Sequence, residues 1–139
     1  MSEFDAGVIG LGAIGVPVSI NLSRSFTVQG WKRSPIDHAG LKNSSVQLTE
    51  NISDLSASIY LIVVSDEESI FEVLRNGLLE ILKPNDLLII LSTISPDAMH
   101  RIQAIIQGNG ARVVDAPVSG GDVGAQRVVL EQSSWNRCG

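Results

Sequence analysis

The sequence predicts an α/β domain built on a doubly wound parallel sheet of six strands, with helices on both faces. Two observations lead to this fold class. Short runs rich in Val and Ile alternate along the chain with segments whose apolar residues recur at helical spacing. Within the runs, polar and apolar residues do not alternate, which is typical of parallel strands buried on both faces. Right-handed crossovers between such strands predict the order 3-2-1-4-5-6 across the sheet.

Turn-forming residues bound the predicted strands, and serine residues mark the starts of the helices. In chain order the strands are Gly7–Ile9, Thr27–Trp31, Ser45–Leu48, Ile59–Val64, Leu87–Leu91 and Arg112–Asp115. Ser34-Pro35 and Ser95-Pro96 each place a capping residue before a proline at the first helical position. Ser65 and Glu68 match a capping box, which predicts Ser65 as the cap of the helix between the fourth and fifth strands.

The apolar residues that follow two of these start signals are expected to share one helical face. After the capping box they are Ile70, Val73, Leu74, Leu78, Ile81 and Leu82, and after Ser95 they are Ile102, Ile105 and Ile106. The last stretch, Gln126–Gly139, shows no clear periodicity. We therefore expect the folded domain to cover residues 1–125, followed by an atypical tail at 126–139.

Composition excludes several classes of protein. The 139 residues suit one domain, and 15 acidic residues against 10 basic ones give a net charge of −5, the opposite of a nucleic-acid-binding surface. The apolar runs Ile59–Val64 and Leu87–Leu91 are far shorter than the roughly 20 residues of a membrane-spanning helix. The N-terminus has no basic region of a secretory signal, and the single Cys138 fits a reducing compartment. The sequence therefore predicts a cytoplasmic protein that binds neither nucleic acid nor membranes.

A glycine-rich turn follows the first predicted strand and opens the first helix. Its residues are Gly10-Leu11-Gly12-Ala13-Ile14-Gly15, a G-x-G-x-x-G pattern in the context that dinucleotide binding requires. Gly10 is expected to make the tight turn, Gly12 to let a pyrophosphate approach the backbone, and Gly15 to let the helix pack against the strand. Two alternatives are a turn that binds nothing and the glycine loop of a methyltransferase. The third glycine and the compact helix start argue against the methyltransferase.

The end of the second strand predicts which dinucleotide binds. An acidic residue at this position normally holds the ribose 2′-hydroxyl of NAD, but the chain has Lys32, Arg33 and Ser34 there. Cations and a hydroxyl suit a 2′-phosphate, so the sequence favours NADP over NAD. The alternative is a basic turn that only faces solvent. The neighbouring Trp31 is expected to belong to the core and not to stack on adenine.

The segment that begins with the glycine turn resembles the β-hydroxyacid dehydrogenase family, which includes 3-hydroxyisobutyrate dehydrogenase and 6-phosphogluconate dehydrogenase. Pro17, Asn21 and Leu22 match the family pattern after the glycines, whereas Val18 and Ser19 depart from it mildly. The resemblance implies an NADP-binding Rossmann domain, the N-terminal domain of such an enzyme, over residues 1–125.

Three later stretches carry the same resemblance. Val64-Ser65-Asp66 corresponds to a cofactor contact after the fourth strand, and Ser92-Thr93 to groups near the nicotinamide ribose after the fifth. Asp115–Gly121 matches the substrate-binding loop of the family, which assigns Ser119, Gly120 and Gly121 to the substrate. The backbone N–H groups of these three residues could hold a carboxylate.

The resemblance implies an oxidoreductase that transfers hydride between NADP and a small 3-hydroxy acid. The family places a catalytic lysine after the substrate loop and adds a helical second domain. The lysines of this chain, Lys32, Lys42 and Lys83, all precede Ser119, so no catalytic residue is assigned and the expected protein is truncated. The departure of the tail from Gln126 onward raises the hypothesis of a frameshift. The alternatives are a non-catalytic NADP(H)-binding module and a half-site completed by another chain, for example in a homodimer.

Overall fold

One parallel sheet organises the domain. The computed structural model describes residues 3–32, 41 and 44–116. Its strands are β1 (Phe4–Ile9), β2 (Val28–Trp31), β3 (Gln47–Thr49), β4 (Ala57–Ile62), β5 (Leu87–Ile90) and β6 (Arg112–Asp115). All neighbouring pairs are parallel and the order is β3-β2-β1-β4-β5-β6, so the predicted six-stranded topology is confirmed.

Helices connect the strands on both faces of the sheet. They are α1 (Gly15–Ser23), α2 (Glu67–Val73), a π-helical turn (Leu74–Leu78), α3 (Leu79–Ile81) and α4 (Pro96–Gln107), with a 3-10 turn at Ile52–Asp54. The helix predicted after Ser34-Pro35 lies outside the described residues. Within the described ranges, no helix is both long and apolar enough to cross a membrane.

In the described ranges the core forms two clusters, one on each side of the sheet. Successive strand residues point to opposite faces, so Val8 belongs to one cluster and its neighbour Ile9 to the other. The Val8 cluster includes Val18 of α1, and the Ile9 cluster includes Ile102 of α4. Because both faces are covered, the ends of the strands are the natural place for a ligand.

The predicted helix starts and faces need two corrections. The cap of α2 is Asp66 and not Ser65: Asp66 has extended backbone and its carboxylate accepts a hydrogen bond from the Ser69 N–H at 2.8 Å. Ile105 does not share the buried face of α4. It is 39% exposed, because the residues that reach the sheet recur at every fourth position from Ala98 to Ile106.

The predicted apolar face between β4 and β5 is largely confirmed, but its helix is interrupted. Ile70, Val73, Leu74, Leu78 and Leu82 are buried, and Ile81 is half-buried. Gly77 has a φ of 148°, which only glycine adopts readily, and a Cβ built on it would lie 3.3 Å from the Ile52 side chain. The non-helical backbone of Gly77 kinks the segment between α2 and α3.

Candidate functional site

Two glycines close the turn between β1 and α1. Gly10 has a φ of 108°, and a Cβ placed on it would lie 1.8 Å from the carbonyl oxygen of Val63. A Cβ on Gly15 would lie equally close, at 1.8 Å, to the carbonyl oxygen of Gly10. Any side chain at either position would therefore push α1 or the turn after β4 away. These contacts support the roles predicted for both residues in the tight turn and in helix packing.

The middle glycine has a different environment. Gly12 is exposed, and apart from its two chain neighbours no atom of the described residues lies within 4 Å of the position of a Cβ built on it. Nearby, α1 begins after Ile14 without a side-chain cap and without an acidic residue in its first turn. The positive end of the helix dipole is therefore not neutralised by a carboxylate of its own first turn. Open space beside such a helix start suits an anionic group.

A cleft of about 290 Å³ opens beside this turn. Its lining comes from the turn after β1, the end of β2, the turn after β4 and one face of α2: Gly10, Leu11, Gly12, Trp31, Lys32, Val63, Val64, Ser65, Ser69 and Val73. The cleft therefore lies at the carboxyl edge of the sheet, between β2, β1 and β4. This is where an open α/β sheet binds ligands, at the point where the strand order reverses.

Backbone hydrogen bonds continue past the strands and fix this edge. The Gly10 N–H donates to the Trp31 carbonyl at 2.8 Å, and the Val63 N–H donates to the Ile9 carbonyl at 2.8 Å. The Leu91 N–H donates to the Ile62 carbonyl at 3.0 Å. The turns that line the cleft thus start from fixed positions on the sheet.

Trp31 and Lys32 form the side of the cleft at the end of β2. The Trp31 indole packs against the core, as predicted, and its Nε1–H donates to the Glu50 carbonyl at 3.0 Å. It also lines the cleft, which the sequence did not predict. Lys32 is half-buried there and adds a positive charge to the wall.

The residues predicted after β4 and β5 occupy two adjoining turns. Val64 and Ser65 line the cleft, whereas the Asp66 carboxylate caps α2. The Ser92 hydroxyl accepts a hydrogen bond from the Val64 N–H at 2.9 Å and donates one to the Val64 carbonyl at 2.7 Å. Thr93 is exposed beside it.

The predicted residues therefore divide into three groups. Those that line the cleft are Gly10, Leu11, Gly12, Lys32, Val64 and Ser65. Those in the same turns but outside the lining are Ala13, Ile14, Gly15, Asp66, Ser92 and Thr93. Those outside the described residues are Arg33, Ser34, Ser119, Gly120 and Gly121.

Four residues that line the cleft were not predicted from the sequence. They are Trp31, Val63, Ser69 and Val73. Ser69 and Val73 are four residues apart on α2, so helical spacing could have indicated that they share a face.

The edge extends to β6, where the predicted substrate loop begins. Asp115 ends this strand next to Ile90 of β5, and its partial burial raises the pKa of the carboxyl above its ordinary value. The described geometry thus places the start of that loop on the same edge as the cleft.

Comparison with known proteins identifies the family. The model of the NAD-binding domain of 6-phosphogluconate dehydrogenase matches residues 5–131. The chain belongs to this family. A 2-(hydroxymethyl)glutarate dehydrogenase from Eubacterium barkeri is 32% identical over 129 residues, which cover 89% of this chain and 43% of the relative. A 2-hydroxy-3-oxopropionate reductase from Escherichia coli is 32% identical over 129 residues, covering 89% and 44%.

The solved structures agree with this assignment. A 3-hydroxyisobutyrate dehydrogenase from Mycobacterium tuberculosis, solved with L-serine, superposes with a TM-score of 0.78 at 26% identity. The match covers 89% of this chain and 43% of that chain. The chain thus spans less than half the length of these relatives, and it corresponds to the NAD(P)-binding domain of β-hydroxyacid dehydrogenase-like oxidoreductases.

The residues present fit a pyridine dinucleotide. The open position at Gly12 leaves room for a pyrophosphate beside the start of α1, and the cleft continues from there to Trp31 and Lys32. A Cβ at Gly12 would point into this open space, so the absence of a side chain there has no packing reason of its own.

Proposed function

We propose that this chain is the NADP-binding part of an oxidoreductase that interconverts a small β-hydroxy acid and its carbonyl form. The observation that supports it most is the cleft at the carboxyl edge, where an open glycine turn and a cation lie on either side of one space. The named activities of the two curated relatives and of the solved dehydrogenase support the substrate class.

Each end of the dinucleotide would have its own residues. Gly10, Gly12 and Gly15, with the start of α1, would hold the pyrophosphate. Lys32 would hold the 2′-phosphate of NADP, together with Arg33 and Ser34. Lys32 supports this assignment because it already lines the cleft and has no acidic residue beside it in sequence. NAD, with a 2′-hydroxyl in place of the phosphate, would gain nothing from this cation.

The nicotinamide supplies a hydride donor or acceptor when it is bound, and the chain supplies position. The turn at Ser92 and Thr93 would face the nicotinamide end. The backbone at Ser119, Gly120 and Gly121 would hold the substrate carboxylate. None of Lys32, Lys42 and Lys83 is assigned to proton transfer, because all three precede the strand that ends at Asp115.

Calorimetric titration of the purified chain with NADPH and with NADH tests the cofactor proposal. We expect saturable binding of both, with NADPH tighter by about tenfold, since a charge-assisted contact contributes about 1.5–3 kcal/mol before screening by salt. Equal affinities would contradict the assignment of Lys32, Arg33 and Ser34. Absence of binding to either would contradict the proposed function.

A non-catalytic NADP(H)-binding module is the second candidate, and it is supported by the described cleft, whose lining residues are assigned to binding the dinucleotide and not to proton transfer. Turnover separates the two candidates. Reduction of NADP in the presence of 3-hydroxy acids, followed by absorbance, is expected only if the chain is a working oxidoreductase. Binding without turnover would support the module.

We also propose a cytoplasmic location and self-association as a homodimer. The low share of charged residues, 18%, supports an additional covered surface. Sedimentation of the purified chain tests this, and a clean monomer at high concentration would contradict the homodimer.

A further inference from the structure

The turns after β4 and β5 are joined by a side chain where the backbone ladder ends. The ladder closes with the Ile62–Ile90 pair and the bond from the Leu91 N–H to the Ile62 carbonyl. Beyond it, the Ser92 hydroxyl binds both peptide groups of Val64, at 2.9 Å and 2.7 Å. A hydroxyl can donate one hydrogen bond while accepting another, so one side chain takes the place of a strand residue here.

A second contact joins the same two turns a few residues further on. The Glu67 carboxylate accepts a hydrogen bond from the Ser95 N–H at 2.6 Å. Ser95 is the cap of α4, and its own hydroxyl accepts from the Ala98 N–H at 3.1 Å. The first turn of α2 is thereby tied to the start of α4, and charge-assisted bonds of this kind are among the stronger ones.

The tied turn is a wall of the cleft. Val63 and Val64 both line it, and the Val63 carbonyl oxygen lies directly against the Cα of Gly10. A displacement of this turn would change the distance between the wall and the glycine turn that faces the ligand. A misplacement of about 1 Å at a binding site can be costly.

We propose that Ser92 and Glu67 are positioning residues for the dinucleotide, a role that rests on the proposed function. They act through the backbone of Val64 and Ser95 and hold the turns after β4 and β5 as one unit. Ser92 acts on binding through Val64, because its O–H donates to the Val64 carbonyl and its oxygen accepts from the Val64 N–H.

Two readouts test this role in the full chain: the Kd for NADPH and the hydrogen exchange of the Val64 and Ser95 amides without ligand. In Ser92→Ala we expect the Val64 amide to exchange about tenfold faster or more, since its acceptor is gone. We expect the Kd for NADPH to rise about five- to tenfold, as for the loss of one or two hydrogen bonds. In Glu67→Ala we expect faster exchange of the Ser95 amide and a similar rise in the Kd for NADPH.

Conservative and control variants separate positioning from general stability. Ser92→Thr keeps the hydroxyl and Glu67→Gln keeps an acceptor oxygen, so both are expected to restore most of the affinity. Ser44→Ala is the matched control, because the Ser44 hydroxyl also donates to a carbonyl, that of Leu41, and accepts from an N–H, that of Val46, away from the cleft. Glu68→Gln is the control for Glu67 in the same helical turn.

The outcomes distinguish this proposal from the proposed function. If the wild-type chain binds NADPH but Ser92→Ala and Glu67→Ala bind it equally well, the positioning role is overturned and the proposed function stands. A rise in Kd matched by Ser44→Ala, or unchanged exchange at Val64 and Ser95, also overturns it. If Ser92→Ala does not fold, Glu67→Ala decides the question alone, with the same criteria. Failure of the wild-type chain to bind contradicts the proposed function itself.

Discussion

The carbonyl oxygen of Gly10 occupies the space that a side chain on Gly15 would need, since a Cβ at Gly15 would lie 1.8 Å from it. Gly12 lies between the two, and in the described part of the chain no atom beyond its neighbours lies within 4 Å of a Cβ built on it. The three glycines of one motif therefore have two functions. Gly10 and Gly15 allow the turn to close, and Gly12 leaves space beside it.

Substitution by alanine is expected to separate these functions. Gly15→Ala forces the turn apart, so the free energy of unfolding is expected to fall by about 3 kcal/mol, the upper end for overpacking. The methyl group of Gly12→Ala meets no atom of the residues that the structure describes, so the unfolding midpoint of this variant is expected to stay near that of the wild type. Its affinity for NADPH is expected to fall at least tenfold, because the methyl group enters the space for the pyrophosphate. Denaturant unfolding and titration of both variants check this; normal NADPH binding by Gly12→Ala would contradict the role of this position.

Lys32→Ala tests the choice between the two dinucleotides. Removing the cation from the cleft wall is expected to weaken NADPH binding about five- to tenfold and to leave NADH binding nearly unchanged, because only NADPH carries the 2′-phosphate. Added salt is expected to reduce the difference between wild type and variant. Lys83→Ala serves as the control for the lost charge. If Lys32→Ala weakens NADPH binding and NADH binding equally, Lys32 does not contact the 2′-phosphate.

Tyr60 offers a pH-dependent prediction with an unambiguous signal, because it is the only tyrosine of the chain. Burial raises the pKa of its phenol above the ordinary value near 10, although the hydrogen bond from the Ala57 N–H acts in the opposite direction. The unfolded chain therefore ionises first, and stability is expected to fall as the pH rises above 10. Phenolate absorbance of the folded chain is expected to give a midpoint above that of the chain in denaturant. Coincident midpoints would contradict this.

The cap of α2 can be assigned by substitution. Asp66→Ala removes the acceptor of the Ser69 N–H and is expected to lower the free energy of unfolding by about 1 kcal/mol. Asp66→Asn keeps an acceptor oxygen and is expected to lose less. Ser65→Ala is the control in denaturant unfolding: a larger loss for Ser65→Ala than for Asp66→Ala would restore Ser65 as the cap.

The sequence predicted the strand order and the glycine turn because both depend on local patterns. Buried parallel strands appear as apolar runs, and the turn at Gly10 requires glycine at fixed positions, which the G-x-G-x-x-G pattern shows directly. The prediction of Ser65 as the cap of α2 was wrong because serine and aspartate are both good caps, and the backbone conformation decides between Ser65 and Asp66. The prediction that Ile105 is buried was wrong, because helical spacing indicates a stripe of apolar residues but not which side of that stripe packs against the sheet.

Other features of the site depend on contacts between distant parts of the chain. The bonds between Ser92 and Val64 join residues 28 positions apart, and the bond between Ser95 and Glu67 has the same separation. No local pattern signals such pairs. Trp31 was expected in the core alone, but an indole is large enough to pack against the core and line the cleft at once.

Dinucleotide binding over the glycine turn can be mapped onto the backbone amides of the isotope-labelled chain by nuclear magnetic resonance with NADPH. Shifts are expected at Gly12, at Lys32 and at Val64 and Ser65, which surround the cleft at the carboxyl edge. No shifts are expected at Asn109 and Gly110, in the turn before β6 at the opposite edge. Shifts confined to the opposite edge, or none at saturating NADPH, would contradict the claim that this chain binds a dinucleotide over its glycine turn.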